Sequence, residues 1–596
     1  MKKFNCFSRA LTISLVLMVI SWPLEILAGK STPVVKTKSG PVVGFFRSTN
    51  EGEVAQFLGI PYAKPPVGPL RLQRTKPVDK WTDVLEATED ADYCWQPRLN
   101  IHAKRRSMSE DCLYLNIMTP SKVFDQGKSD LLPVMFFISA SGNYDLFQGH
   151  PYENSSYPLV IRENVIFVNM RYRVGFFGFP YTMNPDDGII SNLGMFDQNM
   201  AMHWVKDNIK AFGGDPDSIT IMGDGVGAEM VGGHVYSPDA RGLFRNAIMQ
   251  NMQRFPFFDD ESDFIRTDEV TNIVIDRVGC KKAKDKIACL QNVKPEAIVS
   301  AYPDRSFGFY SQTSGEYIPV DLFSSPPNAV NVLIGYIENL GAARSITLSP
   351  EVLTNDPLTL DDARDVISRI YEGDTVDKIL DLYIGSYTDE ISIKKIQTGL
   401  LRLLTDLFFA CPAYSFAKKF IESHPEGKTY TFQFNHMPNS HTYPVCDLQP
   451  ETRGCYQDTS IFSTGLPFVA GEDIFDWINV FTPQDRMVSE KTMDQWANFA
   501  KNGKPVSDQS QWPSWNTPKS DKINPIAAIL SANEIKLDQS RANFCFKNKE
   551  LLTSNLVPKL YLADRYPLEK QRKMDQKSSY DGYLYAVYSY MALQHY

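Results

Sequence analysis

The sequence predicts an α/β fold in which a mixed, mostly parallel central sheet is flanked by helices within one large domain. From Lys36 to about Phe546, runs rich in β-branched residues alternate with segments of helical length, which is typical of this class. No internal repeat and no Gly/Ser-rich or Pro-rich linker divides that stretch. A glycine-rich corner directly follows one of the predicted strands, as at a strand-to-helix turn of a sheet that has helices on both faces.

The predicted elements around that corner come in a regular order. Two continuous apolar runs, 134–138 and 165–169, are typical of buried strands. Residues 195–209 have helical spacing, and a turn at 212–216 leads into a further strand at 218–222. Because a helix separates neighbouring strands, right-handed crossovers and a mostly parallel sheet are expected.

The bulk composition limits the possible partners. Of the 596 residues, 43% are apolar and 12% aromatic, which is enough for a large core. The net charge of −9 and the pI near 5.6 argue against nucleic acid as a partner, because no basic stripe offsets the acidic balance.

The N-terminus, residues 1–28, is predicted to be a signal peptide. Lys2 and Lys3 provide a basic start, residues 10–20 form a short apolar run, and Ala28 offers a cleavage site. A membrane anchor is the less favoured interpretation, because the uninterrupted apolar run is too short to span a bilayer. The chain is therefore expected to be secreted into an oxidising environment.

The C-terminal segment, residues 559–596, differs in composition from the predicted domain at 29–558. Its basic residues are Lys559, Arg565, Lys570, Arg572, Lys573 and Lys577, and its tyrosines include Tyr580, Tyr583, Tyr585, Tyr588, Tyr590 and Tyr596. The segment is too polar for a transmembrane helix, so no membrane span is predicted. A mobile tail is favoured over a partner-binding segment.

Eight cysteines remain once Cys6 leaves with the signal peptide, and an even number in a secreted chain indicates disulfides. The spacings suggest three local loops, which would join Cys94 with Cys112, Cys280 with Cys289, and Cys446 with Cys455. Cys411 and Cys545 are then left over, although spacing alone does not fix the connectivity.

Two further kinds of site are read from short motifs. No Cys-x-x-Cys pair is present, so a zinc site has little support and no metal is expected. Asn154 begins the one well-formed N-glycosylation sequon, Asn154-Ser155-Ser156. A glycan is therefore expected at Asn154 of the secreted chain.

The glycine-rich corner lies in the segment 219–229. A strand that runs into Gly-x-Ser-x-Gly and then a helix forms a nucleophile elbow, where a strained turn presents a hydroxyl. Here the flanking Gly223 and Gly227 are present, but the central residue is Gly225. A dinucleotide-binding loop is excluded by the spacing, because that fingerprint requires Gly-x-Gly-x-x-Gly.

Several further motifs occur in the same order as in the type-B carboxylesterase/cholinesterase family. Together they resemble that family along nearly the whole mature chain. They are Phe57 to Pro66, Ser109 to Asn116, Tyr172 to Gly175, Asp197-Gln198, Phe212 to Pro216, Ser237-Pro238 and Trp496 to Ala500. The resemblance implies an α/β-hydrolase fold with a deep gorge above the nucleophile. It also implies the disulfides Cys94–Cys112, Cys280–Cys289 and Cys411–Cys545, with a pair of Cys446 and Cys455 as an addition of this chain.

The catalytic positions that the resemblance implies are all replaced. The nucleophile position is Gly225, the acid position is Leu340 and the histidine position is Tyr456; the oxyanion-loop positions are Ser139, Ala140, Ser141 and Gly142, with Val226 after the nucleophile position. Ester hydrolysis by this design needs a hydroxyl, a histidine, an acid and N–H donors. Leu340 and the Tyr456 ring are expected to fill the vacated space with mostly apolar surface.

A shifted register could rescue single positions. Glu338 lies two residues from the acid position, and His436 and His441 lie upstream of the histidine position. Ser139 and Ser141 carry hydroxyls, but no histidine is evidently paired with them. Because a catalytic hydrogen bond reaches only about 3 Å, residual hydrolysis is the least favoured outcome.

The sequence therefore predicts a secreted pseudoenzyme that binds an extracellular or cell-surface protein and uses no cofactor. In its missing triad it is similar to neuroligin, neurotactin and glutactin, which are non-catalytic members of the family. The alternative function is a carrier of an apolar ester or lipid in a non-hydrolysing gorge. A homodimer formed through the helices at 394–421 and 489–502 is possible, although their apolar faces could equally cover the sheet.

Overall fold

The structure is a computed structural model that describes most of the predicted domain. The described residues are 30–96, 107–125, 130–139, 156–252, 261–303, 316–320, 322, 326–328, 330–338, 340–341, 349, 352, 358–385, 392–436, 482–516, 525–531 and 534–554. The predicted signal peptide, the tyrosine-rich tail, Asn154, His441 and Tyr456 lie outside these ranges.

The strands of the described residues form one large sheet and two small ones. They are β1 Val35–Lys36, β2 Pro41–Val43, β3 Phe45–Thr49, β4 Gly52–Pro61, β5 Leu85–Glu86, β6 Tyr93–Cys94, β7 Met108–Ser109, β8 Tyr114–Pro120, β9 Leu132–Ile138, β10 Ile166–Met170, β11 Gly214–Asp224, β12 Asn246–Gln250, β13 Asn331–Ile337, β14 Thr429–Phe434, β15 Ala527–Leu530 and β16 Ile535–Asp538. The large sheet has eleven strands in the order β16-β15-β14-β13-β12-β11-β9-β10-β8-β4-β3.

The middle of the large sheet is parallel and its margins are antiparallel. Strands β10, β9, β11, β12, β13, β14 and β15 pair in parallel, while β8, β4 and β3 on one side and β16 on the other pair antiparallel. The parallel strands are buried along almost their whole length, since helices cover both faces. The predicted mixed, mostly parallel sheet is thereby confirmed.

Helices fill the connections between these strands. They are α1 Tyr157–Glu163, α2 Gly175–Gly178, α3 Leu193–Asn208, α4 Val226–Tyr236, α5 Glu261–Arg277, α6 Lys286–Gln291, α7 Pro295–Ser300, α8 Leu360–Ser368, α9 Thr375–Tyr383, α10 Ile393–Thr405, α11 Cys411–Ser423, α12 Pro483–Asn502, α13 Ser540–Lys547 and α14 Lys549–Thr553. Short 3₁₀ turns occur at Gly68–Leu70, Ser121–Phe124, Pro185–Asp187, Ile209–Phe212 and Pro238–Ala240, and a π-helical turn, Asp406–Ala410, joins α10 to α11.

The predicted elements differ from the observed ones mainly at their ends. The strands predicted at 134–138 and 165–169 are β9 and β10, and the helix predicted at 195–209 is α3 followed by a 3₁₀ turn. The turn predicted at 212–216 is wrong in its second half. Gly214 already belongs to β11, where it pairs with Leu132 of β9 before a bulge that ends at Ile219, because pairing with β9 extends the strand beyond its apolar core.

The predicted helix at 394–421 is α10, the π-helical turn and α11. Among the described residues, the stretch Ile393–Ser423 is long and apolar enough to cross a membrane by length and composition alone, but 94% of its most apolar window is buried inside the protein. Its contacts run to β13 and β14, so this apolar surface covers the central sheet.

Three disulfides join the described cysteines as the family resemblance implied. They are Cys94–Cys112, Cys280–Cys289 and Cys411–Cys545. The last one ties α11 to α13 across 134 residues of sequence, so it closes a long loop and restricts the unfolded chain most.

The fourth predicted pair, Cys446 with Cys455, is not among these three disulfides. Both Cys446 and Cys455 lie outside the described ranges, so the structure neither joins nor separates them. The disulfide between Cys446 and Cys455 therefore stays a prediction from the spacing and the even number of cysteines.

Candidate functional site

The turn between β11 and α4 has the geometry of a nucleophile elbow. Gly225 sits there with φ 54° and ψ −119° and is partly exposed. Its N–H donates to the carbonyl of Gln250 at 2.9 Å, and its carbonyl accepts from Ala228 N at 3.0 Å. Glycine adopts this positive φ without steric cost, so the corner keeps its shape while its centre offers no side-chain oxygen.

The flanking glycine before the corner is required by close packing. A Cβ placed on Gly223 would lie 2.3 Å from the backbone carbon and oxygen of Gly227, in the first turn of α4. No real Cβ comes that near to backbone atoms, so any other residue would push strand and helix apart. The glycine spacing seen in the sequence therefore serves the fold directly.

A polar link that sequence reasoning missed ties the elbow to the neighbouring strands. Asp224, nine-tenths buried beside Gly225, accepts a hydrogen bond from Asn251 Nδ2 at 2.6 Å. Asn251 has a positive φ of 53°, and its Oδ1 accepts from Ile337 N at 2.9 Å. An asparagine directly after a buried strand is the one sequence signal of this link, because asparagine tolerates left-handed backbone better than most residues.

The oxyanion-loop positions meet the elbow at the carboxyl edge of the sheet. Ile138, the last residue of β9, pairs with Gly223, so Ser139 follows level with the elbow, where Val226 begins α4. Ser139 is buried, and its carbonyl accepts from the Tyr172 hydroxyl at 2.7 Å. Its own hydroxyl has no hydrogen-bond partner among the described residues. Ala140, Ser141 and Gly142 lie outside the described ranges.

The acid position is part of the hydrophobic core. Leu340 is 5% exposed and belongs to the main cluster of buried apolar side chains. Gly341 follows, and its N–H donates to Thr405 Oγ1 at 2.9 Å. A Cβ on Gly341 would lie 2.1 Å from the carbonyl oxygen of Leu401, so this turn rests directly on α10. The expectation that Leu340 packs as core agrees with this placement.

Glu338, the nearest alternative acid, faces a different partner. Its Oε1 lies 3.5 Å from Nη1 of Arg541, which is itself buried. The same guanidinium bonds through Nε to Asp406 Oδ1, and Tyr383 donates to Asp406 Oδ2 at 3.0 Å. Glu338 therefore contributes to an ionic cluster around Arg541 next to the Cys411–Cys545 disulfide.

His436, the alternative base, also has a separate partner. Its Nε2 lies 2.7 Å from Asp485 Oδ1, and both side chains are buried. The other oxygen of Asp485 accepts from Thr482 N at 2.9 Å and closes the capping box of α12. This imidazole therefore links the end of β14 to the start of α12.

A second buried histidine lies in α4, the helix that follows the elbow. His234 Nδ1 is 2.8 Å from the Tyr317 hydroxyl, and Nε2 is 2.8 Å from Gln198 Oε1. Burial lowers the pKa of His234 to about 3. The ring is therefore neutral at physiological pH and joins α4 to α3.

No metal site is supported by the residues that the structure describes. Their one group of acidic, thiol or imidazole ligand atoms is Asp406 with Cys411 and Cys545, whose ligand atoms all lie within 4.8 Å of one another. Both sulfurs belong to the disulfide, so neither is available as a thiolate ligand.

The sequence matches the profile of the carboxylesterase family from residue 31 to residue 545. The chain belongs to this family. It is 28% identical to an acetylcholinesterase of Bungarus fasciatus over 84% of each chain. It is 31% identical to the pyrethroid hydrolase Ces2e of Rattus norvegicus over 81% of this chain and 84% of the relative, and 30% identical to a cholinesterase of Mus musculus over 81% of each.

As a member of the carboxylesterase family, the chain has the family fold, and the structure describes part of the predicted site. The structure brings Gly225, Val226 and Ser139 together at one edge of the sheet. It places Leu340 in the core and assigns Glu338 and His436 to other contacts. The replacement of the histidine by Tyr456 remains a sequence-based prediction, because that position is outside the described ranges.

Proposed function

We propose that this chain is a secreted, catalytically inert carboxylesterase-like protein that acts by binding another protein in the extracellular space or at a cell surface. The observation that carries the proposal is Gly225. The backbone there keeps the strained turn of a nucleophile elbow, yet the residue has no atom that can attack an ester carbonyl.

The neighbouring side chains offer no replacement for the missing hydroxyl. Asp224 accepts a hydrogen bond from Asn251 and is nine-tenths buried. The Ser139 hydroxyl lies one strand away, and neither described candidate base, His234 or His436, is hydrogen-bonded to it. A nucleophile needs a base within hydrogen-bond reach, so the described corner supports no acyl transfer.

Secretion is supported by the three disulfides and by the basic-then-apolar N-terminus. With its chemistry removed, the sheet and its flanking helices remain as a rigid support for surface recognition, the role that the resemblance to non-catalytic members suggests. Acidic net charge disfavours nucleic acid as the partner.

Binding of an apolar ester or lipid without cleavage is the second candidate function. It is favoured by two features of the same corner: Gly225 is partly exposed, and the buried Ser139 hydroxyl has no partner among the described residues. If a ligand carbonyl accepted a hydrogen bond from the Ser139 hydroxyl, the free-energy cost of leaving this buried donor unsatisfied would be removed.

Catalytic inertness is tested with the purified full-length protein and a generic aryl ester. The wild-type chain should hydrolyse it no faster than heat-unfolded protein, and Gly225→Ser alone should add nothing, because base and acid are still missing. The triple variant Gly225→Ser, Leu340→Glu, Tyr456→His is the positive comparison. Wild-type hydrolysis that a serine-directed phosphorylating agent abolishes would refute the proposal.

Recognition is tested by screening the glycosylated, secreted protein against an array of cell-surface ectodomains. A specific partner should bind reversibly, and an excess of the soluble chain should block that binding. If no ectodomain binds while long-chain esters raise the melting temperature of the wild-type protein, the carrier function replaces protein recognition.

A further inference from the structure

A cavity far along the sheet from the elbow remains unassigned. It measures about 480 Å³ and lies between the β15–β16 hairpin and helix α12. Leu530, Ile535 and Leu537 line it from the sheet, and Val488 and Gln495 line it from the helix. This volume is within the usual range of sites that accept organic side chains or ligands.

One wall of the cavity is the edge of the central sheet. Among the described residues β16 is the outermost strand next to β15. Ile535 and Leu537 line the cavity from one face of this strand, while Lys536 between them does not. Leu537 is 44% exposed. An exposed edge strand with apolar side chains is a template for pairing with a further strand.

The tyrosine-rich tail contains a segment whose pattern fits such an edge. Residues 583–590 read Tyr-Leu-Tyr-Ala-Val-Tyr-Ser-Tyr. In a strand, Tyr583 and Tyr585 would point to one face and Tyr588 and Tyr590 to the other, and tyrosine and valine favour strands. We propose that residues 583–590 of this chain pair with edge strand β16 and insert the two tyrosine rings of one face into the cavity between β16 and α12.

The lining suits tyrosine better than a purely apolar side chain. Leu537 and Ile535 offer aliphatic surface opposite an added strand, and aromatic–aliphatic pairs across strands are stabilising. Gln495 and Gln511 also line the cavity and offer amide groups. A buried phenolic hydroxyl needs such a partner. The rings can therefore be covered while their hydroxyls stay hydrogen-bonded.

The tail begins close enough to reach this cavity. From the end of β16 at Asp538 the chain runs through α13 and α14 to Ser554, and its contour length, on the order of 30 Å, is an upper limit on the distance between these two residues. The linker at 555–582 has a root-mean-square span of roughly 30 Å if it behaves as a random coil. Because the linker spans a length comparable to this upper limit, residues 583–590 can reach the cavity within the same molecule.

Photo-crosslinking within the full-length chain tests the proposal. Benzoylphenylalanine in place of Leu537 should form a crosslink to a peptide within residues 578–596 of the same molecule, with a yield independent of protein concentration. The same group in place of Met183, which is 51% exposed on the loop bonded to α5, should not reach the tail.

Tyrosine substitutions distinguish the patterned segment from the rest of the tail. Replacing Tyr583, Tyr585, Tyr588 and Tyr590 together by serine should reduce that crosslink yield by about fivefold or more and speed amide exchange in β16. Tyr561→Ser with Tyr566→Ser is the matched control and should change neither. Crosslinks only to a second molecule, or an undiminished yield with the four serines, would overturn the proposal.

Discussion

The elbow and the ionic cluster around Arg541 differ in their polar side chains. At the elbow, the backbone conformation survives at Gly225 but the side chain that would do chemistry is absent. In the ionic cluster, Asp406 is fully buried. Its two carboxylate oxygens accept hydrogen bonds from Arg541 Nε and from the Tyr383 hydroxyl, so these polar groups are paired with one another.

The difference shows which polar groups a fold can lose. Removing one member of a buried ion pair leaves an uncompensated charge in a medium of low dielectric constant, which costs about 3–5 kcal/mol. The hydroxyl of a nucleophile is used by a substrate, so its loss leaves nothing unpaired in the protein. Under the proposed loss of catalysis, polar residues are kept where the fold depends on them and are dispensable where only catalysis did.

The largest effect is expected in the ionic cluster. Arg541→Met should lower the free energy of unfolding by about 3–5 kcal/mol, because Asp406 stays buried while its remaining cation, the half-exposed Arg402, lies 3.9 Å away. Urea unfolding followed by circular dichroism measures this. Lys536→Met, which removes an exposed pair with Glu534, should cause no measurable change. A loss below about 1 kcal/mol for Arg541→Met would show that the cluster is dispensable.

A smaller but clear loss is expected from crowding the elbow. Gly223→Ala should lower the free energy of unfolding by about 2–3 kcal/mol, because the new methyl meets the Gly227 backbone at 2.3 Å. Gly242→Ala is the control: it has a positive φ of 79° but open space around a Cβ, so only a strain of about 1 kcal/mol applies. Equal losses in urea unfolding would contradict the role of close packing.

The buried histidine should make stability depend on pH. The folded pKa of His234 is about 3, against an ordinary value near 6.5, so the unfolded chain binds the proton and the folded chain does not. The free energy of unfolding is therefore unaffected by His234 above about pH 6.5 and falls as the pH drops from there toward 3. The loss is roughly 2 kcal/mol at pH 5.

Urea unfolding at pH 7.5 and pH 5.0 measures this dependence. His234→Gln should show a smaller loss of stability between the two pH values than the wild type. His203→Gln, at an exposed position, should keep the wild-type difference. If His234→Gln keeps the full difference as well, other groups control the acid response.

The smallest effect on activity is expected from placing a hydroxyl at the elbow. Gly225→Ser should lower the free energy of unfolding by about 1–3 kcal/mol, since serine must adopt φ 54° and ψ −119°, outside the left-handed helical region. Aryl-ester hydrolysis should stay at background because the acid position remains Leu340. Ester turnover in this single variant would mean that a base and an acid are still in place, and the contrast between the two regions would fail.

Much of the fold could be predicted because its strands are long apolar runs and its motifs are local. The strands at 134–138 and 165–169 and the helix at 195–209 were placed within a few residues. The start of β11 was missed because Gly214 gains its strand character from pairing with β9, which local sequence does not encode.

The candidate site divides in the same way. Motif spacing assigns Gly225 to the centre of the strand-to-helix corner, and the family resemblance implies that Leu340 stands at the acid position. The partners of Asp224, Glu338 and His436 were not predictable, because Asn251, Arg541 and Asp485 are distant from them in sequence. Hydrogen bonds depend on distances of about 3 Å between atoms, and only the folded chain fixes those.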